Sequence, residues 1–368
     1  MQAITVQDFA VDEAGAAISG TGAGGTVVSK CRFIGNVAKT GGAISTSGSC
    51  ISAVDCCFES NKFTSVSSSR GAGGGAVNGA NCERCEFIGN GHVTPDVENK
   101  LVGGAVCDGD CVDCTFIGNV AAAGATAAAS GVGGSVLCTR CSFVGNKATK
   151  VNLTENLSCS ECSFVGNQAE NGIILSAAGM LSRCSIISNV FNSTCASGAG
   201  TAQNCLFYGN QAESTTTSGA GGICALSVEN CTAISNVHPA RVFSGARVVN
   251  SLLSGNLRRD LKTLCNLAYG SNSTITNCVS DSNHNSSSVS NVCVMSTSSM
   301  IAWNADGVPC GIVRNAQTKR VLIDCGYDLG QTAEDLDLAG KPRVFNDIID
   351  IGCWEWPGPF PGLMLLVW

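Results

Sequence analysis

NCERCEFIGN, residues 81–90, carries a Cys-x-x-Cys pair, Cys82 and Cys85, of the kind that opens a zinc ribbon. Three more such pairs follow, CVDC at 111, CTRC at 138 and CSEC at 159. The second half of the stretch points elsewhere, because it recurs. Cys-x-Phe-x-Gly-Asn appears as CRFIGN at 31, CCFESN at 56, CEFIGN at 85, CTFIGN at 114 and CSFVGN at 141 and 162. It continues as CSIISN at 184, CLFYGN at 205, CTAISN at 231, SLLSGN at 251 and CVSDSN at 278.

The interval between units varies from 20 to 29 residues. Helical repeats hold nearly constant lengths, whereas a coil of short strands accepts loop insertions without disturbing its strands. The chain is therefore expected to be all-β, a single right-handed parallel β-helix (solenoid) of about eleven coils. Its expected divisions are an N-terminal end at 1–20, the repeats at 21–290, and C-terminal capping coils and tail at 291–368.

Each column of the repeat has a physical task. The first and third positions lie two apart, so a strand points the Cys and the Phe to the same inner face, where they stack about 4.8 Å apart from coil to coil. The sixth position is Asn throughout: Asn36, Asn61, Asn90, Asn119, Asn146, Asn167, Asn189, Asn210, Asn236, Asn256 and Asn283. Asn tolerates left-handed backbone, and its amide can donate to one coil while accepting from another. The column is expected to be a structural asparagine ladder at a turn. Gly-Gly pairs at 41, 74, 103 and 133 open the next strand, where backbones pass closely.

The residue before the first position alternates in charge, Lys30, Asp55, Arg84, Asp113, Arg140, Glu161 and Arg183, and then becomes Asn204, Asn230, Asn250 and Asn277. Alternation keeps like charges from meeting on adjacent strands.

This alignment decides between metal and core for the Cys-x-x-Cys pairs. Three residues before the anchor stand Val28, Ala53, Cys82, Cys111, Cys138, Cys159, Leu181, Ala202, Val228, Val248 and Ile275. Every occupant other than Cys is aliphatic, so the column reads as core, with a bend before the anchor that keeps both thiols inside, and Cys serves as a small hydrophobe. In-register strands also hold neighbouring Cβ atoms near 4.8 Å, outside the roughly 3.5–4.5 Å that a disulfide requires. The off-column Cys50, Cys195, Cys224, Cys265, Cys293 and Cys310 are the better disulfide candidates. No cofactor and no metal is expected.

A net charge of −7 and the absence of a basic run give no reason to expect nucleic acid, and no apolar run reaches the roughly 18 residues of a spanning helix. The amino terminus shows neither a basic nor an apolar signal region. The chain is expected to be monomeric. The densest acidic cluster, CDGDCVDC, supplies Asp108, Asp110 and Asp113 as a weak candidate for carbohydrate cleavage or calcium binding. Asp113 belongs to the charge column, however, and the other two suit a Gly-containing turn. His92 and His238 are placed in loops, His284 continues DSNHN at 281, and no Ser-His or Cys-His pair suggests a triad. No catalytic residue is assigned.

The alternating GGAI and F-x-x-N units, as in CRFIGNVAKTGGAI, resemble the repeats of chlamydial polymorphic outer membrane proteins and related bacterial β-helix surface proteins, over residues 20 to 290. The stretch VLIDCGYDLGQTAEDLDLAGKPRVFNDIIDIGCWEW, 321 to 356, is similar to the closing segment of such proteins, where an Asp-Gly turn, G-x-P-R, and DIG with an aromatic-Glu pair recur. The resemblance implies an extracellular or outer-membrane passenger engaged in adhesion or surface display. The expected function is a noncatalytic surface or secreted β-helix that meets a host molecule, a neighbouring cell or a glycan through its loops at 62–73, 91–102 and 120–132. The alternative is a carbohydrate-active enzyme or glycan-binding module using a lateral groove.

Overall fold

The computed structural model describes residues 4–356 apart from 22–24, 48–50, 65–73, 94–103, 122–128, 131–135, 149–152, 155–156, 171–174, 193–194, 199, 214–222, 225–226, 239–240, 245–246, 259–265, 282–284, 333 and 345–347. It is an all-β parallel solenoid, with one α-turn at Thr318–Val321 and one 3₁₀ turn at Ser298–Met300 among the described residues.

The coil of residues 81–92 shows how the repeat folds. Asn81–Glu83 is extended and points Cys82 inward. Arg84 then takes φ 51°, the strand Glu86–Ile88 points Cys85 and Phe87 inward, Gly89 takes φ 61°, and Gly91–His92 forms a third short strand. The residue before the anchor is left-handed in every unit, from Lys30 (φ 55°) to Asn277 (φ 54°). This is the expected bend: one left-handed residue reverses the alternation, so Cys82 and Cys85 face the same side despite an odd spacing. Non-glycine residues reach this region at a cost, and Asn and Asp reach it most easily. That preference suits the column's drift to Asn in its last four units. The second left-handed residue of each coil is the Gly or Ser before the ladder Asn, such as Gly118 or Ser235, and not the Asn itself, which corrects the role first given to Asn.

Register is uniform along the Phe column, and shifts occur elsewhere, between Leu157 and Cys159 and between Gly270 and Thr274. Phe33, Phe58, Phe87, Phe116, Phe143 and Phe164 are successive Cα partners, followed by Ile186, Phe207, Ala233 and Leu253. The rings stack nearly parallel, from 5.0 Å between Phe33 and Phe58 to 4.5 Å between Phe143 and Phe164. The third strands form a 10-stranded sheet, and the Gly-Gly-Ala segments of the early coils lead into a 5-stranded one. Close backbone passage there needs glycine: a Cβ on Gly75 would lie 1.8 Å from the Gly104 carbonyl oxygen. At the amino end, Thr5–Gln7 pairs with Arg32–Ile34 and extends the stack.

The asparagine ladder has the predicted two-way bonding. Asn119 donates Nδ2 to the Phe87 carbonyl (2.9 Å) and to Asn146 Oδ1 (3.0 Å), while its own Oδ1 accepts the backbone N–H (2.9 Å) and Nδ2 (3.1 Å) of Asn90. The same pattern runs from Asn36 to Asn256. Cys278 and Val279 enter a long strand, Asn266–Ser280, paired with Asn285–Val294, and Asn283 lies outside the described residues.

Candidate functional site

The three acidic residues near 110 are held by the scaffold. Asp113 receives Arg140 through Nε (2.6 Å) and Nη2 (2.8 Å), and that guanidinium lowers its carboxyl below the ordinary range. Asp110 Oδ1 accepts the backbone N–H of Leu137 on the next coil (2.9 Å), and its own N–H donates to Asn81 Oδ1 (3.1 Å). Asp108 is left-handed at φ 53° and half-buried. The geometry assigns two of the three to register-holding contacts between coils.

The charge column pairs in one sense: Arg84 with Asp55 (2.6 Å), Arg140 with Asp113, and Arg183 with Glu161, the basic residue always one coil beyond the acid. All but Arg183 are substantially exposed, so these pairs align coils more than they stabilise them. Their column changes to Asn for a reason the repeat alone does not reveal. Asn204 Nδ2 donates to the Leu336 carbonyl (3.0 Å), Asn250 exchanges two bonds with Tyr327 (2.8 and 2.7 Å), and Asn277 donates to the Cys325 carbonyl (2.6 Å). Three of the four asparagines thus dock a closing segment onto the flank of the solenoid, while the buried Asn230 amide has no hydrogen-bond partner.

That segment, residues 297–356, buries an apolar layer against the outer face of the coils. Leu206, Ile234, Leu252 and Val279, which point away from the solenoid core, pack with Ile301, Leu322, Ile351 and Trp354. Tyr208 donates its hydroxyl to the Gly307 carbonyl (3.0 Å), and the Cys353 N–H donates to Thr232 Oγ1 (3.0 Å). The change of outward positions from Ser142, Ser163 and Ser185 to Leu206 was the sequence signal for this cover.

Beneath it lies a charged cluster built from the G-x-P-R, DIG and aromatic-Glu elements. Arg343 is fully buried, donates Nη2 to the Asp350 carbonyl (2.6 Å), and approaches Glu355 Oε2 with Nη1 (3.8 Å). Asp350 Oδ1 and Oδ2 accept the N–H groups of Asp324 (2.7 Å) and Trp356 (2.6 Å). Glu355 Oε2 accepts the Asp350 N–H (3.0 Å), and Asp337 Oδ2 accepts the Glu355 N–H (2.8 Å). Burial, then the neighbouring Asp350 charge, pushes Glu355 up to about 9, and burial pushes Asp350 up to about 6.

The described column cysteines are free, and all but half-buried Cys31 are buried. Their thiols donate to backbone carbonyls, as Cys85 does to Ala53 (3.4 Å) and Cys114 to Cys82 (3.4 Å). Burial raises Cys184 and Cys205 and lifts Cys278 to about 12, which keeps them protonated. Among the described residues, no three His, Cys, Asp or Glu side chains are placed to share a metal ion. Of the off-column cysteines, Cys195, Cys293 and Cys310 are free, and Cys50 and Cys265 lie outside the described residues, as does the side chain of Cys224.

Two histidine placements are corrected. His92 and His238 are buried on short strands of the 10-stranded sheet, where Phe63 and Phe191 occupy equivalent positions, because the inward side of that sheet continues the core. His284 and most of the loops 62–73, 91–102 and 120–132 lie outside the described residues.

No protein-family model matches the chain, and no curated protein does. Among solved structures it is similar to bacteriophage CBA120 tailspike protein 3, at 13% identity and a TM-score of 0.36 over 83% of this chain. The match takes in 56% of that protein, so the chain spans about half its length. No described helix is long and apolar enough to cross a membrane.

Proposed function

We propose that the chain is a noncatalytic, elongated β-solenoid displayed on a cell surface or secreted, which meets a host molecule, a neighbouring cell or a glycan through loops along one edge. The observation that supports this reading is where coil length varies. From the strand before the left-handed bend to the short strand after the ladder Asn, coils keep one length, as in 81–92 and 137–148. By the repeat alignment of the sequence, the extra residues follow that short strand, within 62–73, 91–102 and 120–132. Segments free of scaffold duty can diverge at little cost to stability, which is where recognition residues accumulate.

The acidic residues support the noncatalytic reading, since Asp110 and Asp113 are occupied in holding neighbouring coils. The resemblance of the repeats to bacterial surface proteins favours an extracellular location. The test is binding of the full chain to a glycan array and to cells, with 94–102 and 122–132 replaced singly by short Gly-Ser linkers. Loss of binding with an unchanged β-sheet circular dichroism spectrum is expected from at least one replacement. Binding indifferent to every loop, or polysaccharide cleavage abolished by Asp110→Asn, would overturn the proposal.

A further inference from the structure

The cluster around Arg343 plays no part in the proposed recognition surface, yet it sits where the closing segment folds back on itself. Its four charged side chains come from one segment: Asp337, Arg343, Asp350 and Glu355, with Asp324 and Cys325 approaching from the preceding turn and Cys353 alongside. Among the described residues, the solenoid meets the cluster through uncharged groups, the Thr232 hydroxyl beside Cys353 and Asn204 on the Leu336 carbonyl beside Asp337. One buried cation thus faces three buried carboxylates, a surplus of negative charge that a dry site does not tolerate. The unpaired atoms mark the mismatch, for Arg343 Nε and Nη1 and Glu355 Oε1 have no hydrogen-bond partner.

We infer that this cluster is a proton-dependent latch: a proton held on the Glu355–Asp350 pair keeps the closing segment on the solenoid, and its loss releases the segment and bares the apolar outer face at Leu206, Ile234 and Leu252.

The direction follows from linkage. Both carboxyls are raised above their unfolded values, to about 9 for Glu355 and about 6 for Asp350. The stabilisation is complete below the ordinary carboxylate range and is lost as pH rises through about 6 and on towards 9. The solenoid beneath relies on its amide ladder and its apolar inner columns and need not follow.

Hydrogen exchange of the full chain, read by mass spectrometry at pH 6, 7.5 and 9.5, tests the latch, with exchange in the solenoid peptides 81–92 and 136–148 correcting for the intrinsic pH dependence. Protection of peptides from 337–356 should fall tenfold or more relative to the solenoid between pH 6 and 9.5, one pH unit of linkage being a factor of ten. In Glu355→Gln, which keeps the shape and removes the titration, the fall should be at least halved on a logarithmic scale. Equal protection at all three pH values in the unmodified chain overturns the inference without recourse to a variant. So does a fall in Glu355→Gln as large as in the unmodified chain, or a simultaneous loss in the solenoid peptides.

Discussion

Asn90 donates two hydrogen bonds to one atom of Asn119, 29 residues away: its backbone N–H and its Nδ2 both reach Asn119 Oδ1, at 2.9 and 3.1 Å. Because each rung satisfies the rung before it, removing one amide strands donors on its neighbour. Asn119→Ala should leave two Asn90 donors and the Phe87 carbonyl short of partners. A loss of about 2–4 kcal/mol is expected in urea denaturation, from about 1–3 kcal/mol for each buried group left unpaired.

Cys111 tests the core assignment of the Cys-x-x-Cys pairs. Cys111→Val conserves shape and should change stability by less than about 1.5 kcal/mol. Cys111→Asp places a lone charge in the dry interior and should abolish the folded circular dichroism signal, since that burial costs several kcal/mol, of order 3–5. Equal tolerance of both would remove Cys111 from the core.

Asn250 ties the closing segment to the solenoid through its two bonds with Tyr327. Asn250→Ala should weaken that attachment by about 1–3 kcal/mol. Increased acrylamide quenching of the buried Trp354, with the solenoid's β signal unchanged, is the readout.

His238 should make the solenoid acid-sensitive. It is buried beside Phe191, neither ring nitrogen has a hydrogen-bond partner, and burial depresses it to about 3. The folded state therefore binds this proton less readily than the unfolded chain, so stability is full above about 6.5 and falls as pH drops towards 3. The slope is at most about 1.4 kcal/mol per pH unit. His238→Phe, matching the occupant Phe191 two rungs earlier, should flatten the acid limb of a plot of melting temperature against pH.

The scaffold was legible in the sequence because each inner position repeats its chemistry. Phe33 to Phe164, Asn36 to Asn256 and the two cysteine columns announce register and inward faces without any knowledge of the turns. The left-handed backbone was harder to place. Arg84 and Glu161 adopt it although neither residue type advertises it, because the need arises from two inward columns at an odd spacing and not from local preference.

The closing segment was read as a cap at 291–368, and its described residues lie along the flank of the late coils. The long-range partners of Asn204, Asn250 and Asn277, with the apolar layer at Leu206 and Leu252, reveal that placement. The histidines failed for a related reason. A polar side chain in a short, variable stretch reads as a loop, and the inward face of the third strand is set by only two residues per coil.

Thiol counting combined with metal analysis tests the central claim, that the cysteine motifs are the interior of the repeat, most directly. Purified under reducing conditions and freed of reductant, the protein should contain no stoichiometric zinc. Few thiols should react with Ellman's reagent in the native state, exposed Cys310 among the first, and all 24 should react once it is denatured. Bound zinc released in step with Cys82, Cys85, Cys111 and Cys114, or ready native reaction of those four thiols, would contradict the account.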